Sequence, residues 1–171
     1  TWQGTSLISI SNLFGNESCK KSFVGVDSFE GLPESSNFWK KGDFNNTSIE
    51  IIKKKIEKYV SKKSNIILVK GWFNDHKVKQ EIYDKISSVS LIHFDSDLGS
   101  STRQALKISE KFLINRKKPI FFLFDDWGCH PDEVPDAFLN WAELNKEKYL
   151  FNYNKISSTN LTRYYKLTFN N

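Results

Sequence analysis

Short runs of mostly apolar residues recur along the chain, and a charged residue follows each run. The runs occupy residues 23–26, 65–69, 91–94 and 120–124, and the residues that follow them are Asp27, Lys70, Asp95 and Asp125. A short uninterrupted apolar run bounded by turn-forming residues is typical of a strand that is covered on both faces. The pattern therefore predicts four buried strands, each with a charged residue at its carboxyl end.

Between these strands, apolar positions recur at three- or four-residue spacing, which predicts amphipathic helices. The first helix precedes Gly15, a residue that commonly stops a helix. Thr47 is the expected N-cap of a helix that runs to about residue 62, and Ser101 and Thr102 are the expected N-caps of a helix over residues 103–113. Two more helices are predicted over residues 78–87 and 131–146. The stripe of the last helix consists of Val134, Phe138, Trp141 and Leu144.

The last part of the chain, residues 149–169, alternates polar with aromatic or aliphatic residues. This alternation predicts two antiparallel strands joined by a turn at residues 157–160. Strands that alternate with helices predict an α/β fold with a doubly wound, mostly parallel sheet, here followed by a C-terminal antiparallel hairpin. We expect one domain over residues 1–171. Since such a domain normally begins with its central strand and none precedes the first helix, we expect an N-terminally truncated domain that lacks its first strand.

Composition narrows the class of protein. The chain has 171 residues, of which 39% are hydrophobic and 26% charged, and this is typical of a globular domain. No apolar run approaches the roughly 20 residues of a membrane span, and no signal peptide is recognisable. Cys19 and Cys129 form no ligand pattern, so we expect free thiols in a reducing cytoplasm. The net charge of +5 comes partly from lysines around Lys54 on a predicted helix face. Without interleaved aromatic residues, this face predicts no nucleic-acid partner.

Acidic residues provide the clearest chemical signal. Asp95 and Asp97 follow one buried strand, and Asp125 and Asp126 follow another. The carboxyl ends of parallel strands meet at one edge of a sheet, where ligands of such folds bind. Clustered carboxylates repel one another unless a cation or a proton intervenes, and oxygen ligands suit Mg2+. The alternative is that Asp97 and Asp126 cap the helices that follow.

Other candidates each have a structural alternative. Asp27 can accept the hydroxyls of a ribose or form an Asx turn. His130 can act as a general base or be an ordinary loop residue. Trp72 can stack on a purine or pack in the core. His93, inside a strand, is expected to be a core residue.

Several motifs occur in an order that resembles the macrocin O-methyltransferase family of class I S-adenosylmethionine-dependent methyltransferases. They comprise residues 1–7, the sequence from Val24 to Pro33 (VGVDSFEGLP), Gly42–Asp43–Phe44, residues 69–73, His93 to Leu98 with Ser101 and Thr102, and residues 124–127. The resemblance implies a Rossmann-like sheet of seven strands whose last pair is a hairpin. It also implies a donor bound over the first two strands and a deoxysugar hydroxyl as the acceptor.

The resemblance also implies residue roles. Donor-binding residues would be Gly4, Thr5, Ser6, Asp27, Ser28, Gly71, Trp72 and Asp95. Mg2+ ligands would be Asp95, Asp125 and Asp126, and Asp97 or His130 would take the proton of the acceptor hydroxyl. The family commonly has tyrosine where Gly99 stands, which alters the acceptor pocket.

The expected function is therefore transfer of a methyl group to a hydroxyl of a sugar or glycosylated natural product, with Mg2+ assistance. A nicotinamide-dependent oxidoreductase would require a Gly-x-Gly-x-x-Gly stretch, and none is present. A receiver-like phosphotransfer domain would place its acidic pair after the first strand. A non-catalytic, degenerate nucleotide-binding domain remains an alternative. The oligomeric state is open, and a homo-oligomer is among the alternatives.

Overall fold

A computed structural model describes residues 3–15, 21–60, 64–114, 116–128, 133–155 and 162–169. The described chain divides into two compact units, Thr1–Ile82 and Tyr83–Asn171. The helices are α1 (Thr5–Phe14), α2 (Ile49–Tyr59), α3 (His76–Lys85), α4 (Gly99–Leu113) and α5 (Val134–Asn145). The strands are β1 (Ser22–Asp27), β2 (Asn65–Lys70), β3 (Leu91–Phe94), β4 (Ile120–Phe124), β5 (Tyr149–Lys155) and β6 (Arg163–Phe169).

In the N-terminal unit, β1 and β2 form a parallel pair with Ser22 opposite Asn65 and Asp27 opposite Lys70. Both apolar runs predicted as strands are therefore confirmed. Ile52 of α2 and Val69 of β2 are fully buried in this unit. Full burial of one such side chain contributes about 1.5–3 kcal/mol.

In the C-terminal unit, the sheet order is β3-β4-β6-β5. The β3 and β4 strands are parallel, whereas β6 is antiparallel to both β4 and β5, which confirms the predicted C-terminal hairpin. The core of this unit is aromatic. Phe94 stacks on Phe124 with ring centroids 4.6 Å apart, and Phe138 of α5 covers Phe124 at 4.7 Å. The predicted α/β class is confirmed.

The resemblance implies one sheet of seven strands, whereas the described residues form six strands in two sheets. Among those residues, no strand other than β2 pairs with β1, and none other than β4 pairs with β3. The single domain over residues 1–171 and the missing first strand stay predictions. None of the described helices has the length and apolar character needed to cross a membrane.

Three local predictions were wrong. Ser48, not Thr47, caps α2, because the extended backbone of Ser48 lets its side chain accept the Ile51 N–H at 3.3 Å. The α4 helix begins at Gly99, so Ser101 and Thr102 lie inside its first turn rather than at its N-cap. Leu144 is 83% exposed, and the buried stripe of α5 continues through Asn145 instead.

Candidate active site

Four carboxylates follow the adjacent ends of β3 and β4, and we call Asp95, Asp97, Asp125 and Asp126 the acidic rim. Phe94 and Phe124 are register partners, so Asp95 and Asp125 follow paired positions of the parallel ladder. The Asp125 N–H donates to the Phe94 carbonyl at 2.9 Å, which extends the ladder by one residue. Asp95 is exposed and the other three are partly exposed. The predicted convergence of these two strand ends is confirmed.

Asp97 lies at the centre of a tight turn with a left-handed backbone, φ 56°. The Leu98 N–H donates to the Ser96 carbonyl at 2.5 Å across this turn. A non-glycine residue in this conformation costs on the order of 1–3 kcal/mol and persists only where the surroundings enforce it. The backbone at Asp97 is therefore under local strain.

Thr102 provides part of that enforcement. Its side chain is fully buried, its Oγ1 donates to the Leu98 carbonyl at 2.9 Å, and it lies 2.9 Å from Ser96 Oγ. Both residues that flank Asp97 are thus tied to one hydroxyl in the first turn of α4. The sequence predicted Thr102 only as an N-cap residue. Its bond to Ser96 could not be predicted, because that bond depends on the tight turn at Asp97.

The pKa of Asp97 is raised from 3.8 to about 7, chiefly by burial and then by the nearby charges of Asp126, Asp95 and Asp125. A carboxylate with a pKa near neutrality is suited to general base catalysis at physiological pH. The capping alternative for Asp97 and Asp126 is wrong, because Leu98 and Glu133 occupy the N-cap positions of α4 and α5.

Asp125 is anchored on both sides. Thr162, the residue before β6, donates to its Oδ1 at 3.2 Å, and His93 Nε2 lies 3.8 Å from its Oδ2. The His93 side chain is only 16% exposed, in agreement with its predicted place in the core. Asp126 has the same left-handed backbone as Asp97, with φ 56°. Both strand-following loops therefore present an aspartate from a constrained backbone.

Apart from Asp95, the residues predicted to bind the donor lie in the N-terminal unit. Gly4 is the N-cap of α1 with φ 76°, and an added Cβ would lie 3.1 Å from Ile52, so the chain turns tightly against α2 there. Thr5 and Ser6 form the first turn of α1, where unpaired backbone N–H groups favour an anion such as a carboxylate. These features fit the amino-acid end of S-adenosylmethionine.

Asp27 ends β1, and its Oδ1 accepts the Phe29 N–H at 2.7 Å, so the Asx turn is present. That bond involves one of the two carboxylate oxygens. Asp27 also lies at the carboxyl end of its strand, where nucleotide-binding folds place the carboxylate that binds a ribose. The Ser28 hydroxyl serves its own loop, donating to the Gly31 carbonyl and accepting from the Glu30 N–H, both at 3.1 Å. Ser28 therefore shapes the loop after β1.

Gly71 follows β2, and its N–H donates to the Asp27 carbonyl at 2.9 Å. Its φ is 145°, and an added Cβ would lie 2.4 Å from the Val78 side chain, so only glycine fits. Trp72, next in the chain, is partly buried. The structure thus brings Asp27, Gly71 and Trp72 to the paired ends of β1 and β2.

A cavity of about 480 Å³ is lined by residues 40–46 in the loop before α2. The predicted base His130 lies outside the described residues.

One residue that the sequence did not point to is Glu133, whose Oε2 accepts the Gly99 N–H at 2.7 Å. No local pattern signals this bond, since the partners are 34 residues apart.

Within the described residues, no group of three or more His, Cys, Asp or Glu side chains is arranged to hold a metal ion. The chemistry of the acidic rim still fits Mg2+, because its donors are carboxylate oxygens and Mg2+ is commonly held by one or two carboxylates with waters and substrate oxygens. The repulsion that helps to raise the pKa of Asp97 is also what a cation would relieve. The ligand set Asp95, Asp125 and Asp126 stays a prediction.

Comparison with curated proteins gives no match. Among solved structures, the calicheamicin methyltransferase CalS11 resembles the chain with a TM-score of 0.70 at 16% identity, covering 93% of this chain and 65% of that one. Apo CalS11, described as a TDP-rhamnose 3'-O-methyltransferase of calicheamicin biosynthesis, gives a TM-score of 0.56 at 15% identity, covering 93% and 64%. The chain thus spans less than two thirds of the length of these proteins. At such identities the likeness concerns the fold alone.

The family profile adds information that the fold does not. The profile described as macrocin-O-methyltransferase (TylF) matches residues 1–148, which include β1 to β4 and the whole acidic rim. The resemblance inferred from the motifs is confirmed. The chain belongs to the macrocin-O-methyltransferase family.

Proposed function

We propose that this protein transfers a methyl group from S-adenosylmethionine to a hydroxyl of a sugar or a glycosylated natural product. The observation that carries the proposal is Asp97, a carboxylate with a pKa raised to about 7, held among three further aspartates in a chain of a methyltransferase family. A deoxysugar hydroxyl is a poor nucleophile at neutral pH, so a base with a pKa near 7 is what the reaction requires.

The N-terminal unit is assigned to the donor. Gly4, Thr5 and Ser6 would bind its amino-acid end with backbone N–H groups, and Asp27 would accept its ribose hydroxyls. Ser28 and Gly71 would fix the two strand-end loops, and Trp72 would pack against the adenine. When bound, S-adenosylmethionine supplies an electrophilic methyl group on a sulfonium centre.

The acidic rim is assigned to the acceptor. Asp97 would take the hydroxyl proton on its carboxylate as the acceptor oxygen bonds to the methyl carbon. The bond from that carbon to the sulfonium sulfur breaks in the same step, and S-adenosylhomocysteine, a neutral thioether, leaves. Asp95 stays a predicted donor contact, whose negative charge would favour a sulfonium centre. Alignment of the reacting groups by an enzyme can supply about 7–11 kcal/mol of such a barrier. His130 is the second candidate for the base.

Mg2+ assistance is part of the proposal, with Asp95, Asp125 and Asp126 as ligands. The ion would polarise the acceptor hydroxyl and lower its pKa. Activity with added Mg2+ and with EDTA tests this part on its own. Full turnover in a metal-free preparation would exclude Mg2+ from the mechanism without excluding Asp97 as the base.

The decisive experiment incubates the full chain with S-adenosylmethionine carrying a 13C-labelled methyl group and a panel of nucleotide sugars and glycosylated natural products. Mass spectrometry is expected to find one labelled methyl group on an acceptor, and the Asp97→Asn variant serves as the control. Donor binding is followed in parallel by calorimetry. A chain that neither binds the donor nor labels any acceptor would refute the proposed function.

A further inference from the structure

The residue before α5 is tied to the first residue of α4. The Gly99 N–H donates to Glu133 Oε2 at 2.7 Å. The α4 helix has Leu98 at its N-cap, and no side chain of its own caps it. A carboxylate from a distant segment therefore accepts one of the first helical N–H groups and lies at the positive end of the helix dipole.

Gly99 has no space for a side chain. An added Cβ would lie 2.8 Å from the Glu133 carbonyl oxygen and 3.2 Å from its Oε2. The segment that enters α5 thus rests directly on the first turn of α4. Further along, Trp141 Nε1 of α5 donates to Glu110 Oε1 of α4 at 3.2 Å, so the two helices are joined at both ends.

The first turn of α4 also restrains the chain on both sides of Asp97. Asp97 is two residues before Gly99 and has the strained backbone described above. Thr102 restrains this turn from within α4, through Ser96 and the Leu98 carbonyl. Glu133 restrains the same turn from the segment that precedes α5. Thr102 belongs to α4 itself, whereas Glu133 is 34 residues away from Gly99 in the chain.

We propose that Glu133 is a positioning residue, which locks the first turn of α4 and thereby holds Asp97 in place for proton transfer. The inference rests on the proposed function, because it assigns Asp97 the role of base. A purely structural alternative is that Glu133 stabilises α4 without affecting the reaction.

The test compares Glu133→Ala, Glu133→Gln and Glu143→Ala in the full chain. Glutamine keeps an acceptor oxygen at the same reach, and Glu143 is an exposed glutamate on α5, the helix that follows Glu133. We expect Glu133→Ala to lower kcat about tenfold or more with KM for both substrates within about twofold, since displacement of a catalytic group by 1 Å can cost about 100-fold. Glu133→Gln should keep kcat within about threefold of the original, and Glu143→Ala should not change it.

Hydrogen exchange of the Gly99 amide provides a second measurement that needs no activity. Loss of the acceptor in Glu133→Ala should speed this exchange, whereas Glu133→Gln should leave it protected. An unchanged kcat in a folded Glu133→Ala variant would overturn the proposal, and so would a Glu133→Gln variant as slow as Glu133→Ala. If no variant methylates any acceptor, the proposed function fails, while the Gly99 exchange rate still decides whether Glu133 holds the turn.

Discussion

Replacing Asp97 with asparagine should stabilise the metal-free protein at neutral and alkaline pH. The folded structure raises the pKa of this carboxyl from 3.8 to about 7, chiefly through burial. At 1.36 kcal/mol per pKa unit, this shift corresponds to about 4 kcal/mol of unfavourable ionisation in the folded state, as an upper bound. Asparagine has nearly the same shape and no charge to bury, so Asp97→Asn should recover much of this energy.

The sign of the pH dependence follows from proton counting. Between about pH 4 and pH 7 the folded protein holds one proton on Asp97 that the unfolded chain has released, so the free energy of unfolding falls as pH rises. Below about pH 4 both states are protonated, and above about pH 7 both are ionised, so the contribution is constant outside this window. The stability advantage of Asp97→Asn should therefore grow by about 2 kcal/mol between about pH 5.5 and about pH 8.

Urea unfolding in EDTA, followed by tryptophan fluorescence at the two pH values, measures this difference. Asp84→Asn on α3 is a matched control, because Asp84 is exposed and lies outside the acidic rim. Its stability difference from the original chain should be the same at both pH values. If the advantage of Asp97→Asn is also the same at both pH values, Asp97 does not carry a raised pKa and the reasoning fails.

The other predictions concern activity and backbone conformation. The value of kcat/KM should rise with pH with a midpoint no higher than about 7, since a bound cation would lower the pKa of Asp97; a pH-rate profile measures it, and a flat one would exclude Asp97 as the base. EDTA should abolish turnover and Asp95→Asn should increase the Mg2+ concentration needed to restore it, whereas an unchanged Mg2+ titration would remove Asp95 from the ligand set. Gly71→Ala should destabilise the fold by about 1–3 kcal/mol, because its φ is 145° and its Cβ would meet Val78 at 2.4 Å. Urea unfolding would detect this loss. Gly42→Ala is the comparison, because Gly42 also has a positive φ but its added Cβ would meet only Asn45 at 3.8 Å, so this variant shows the cost of backbone strain without steric overlap.

Strand positions were largely predictable from local sequence. A run of apolar residues that ends in a carboxylate signals both a buried strand and the edge where it stops, and β1 to β4 lie within one residue or so of the predicted bounds. The hairpin of β5 and β6 was equally readable, because alternation with a two-residue period is a local property. The same signals placed Asp95 and Asp125 at adjacent strand ends.

Helix starts were less predictable. Thr47 and Ser48 are both suitable caps by composition, and only the extended backbone of Ser48 decides between them. The start of α4 at Gly99 departs further from the local signal, because its first N–H is satisfied by Glu133 from the next loop. Local sequence contains no information about a partner 34 residues away.

The sequence by itself determined which residue types end each strand, and through the ordered motifs it determined the family. Only the tertiary structure decided that Asp97 is the aspartate with a pKa near 7, because burial and the distances to the other three carboxylates depend on how β3 and β4 pair. It also decided that Thr102 bonds to both neighbours of Asp97 and that Glu133 accepts the Gly99 N–H. The physical reason is that a residue's type is local, whereas its solvation, its charged neighbours and its hydrogen-bond partners come from segments distant in the chain.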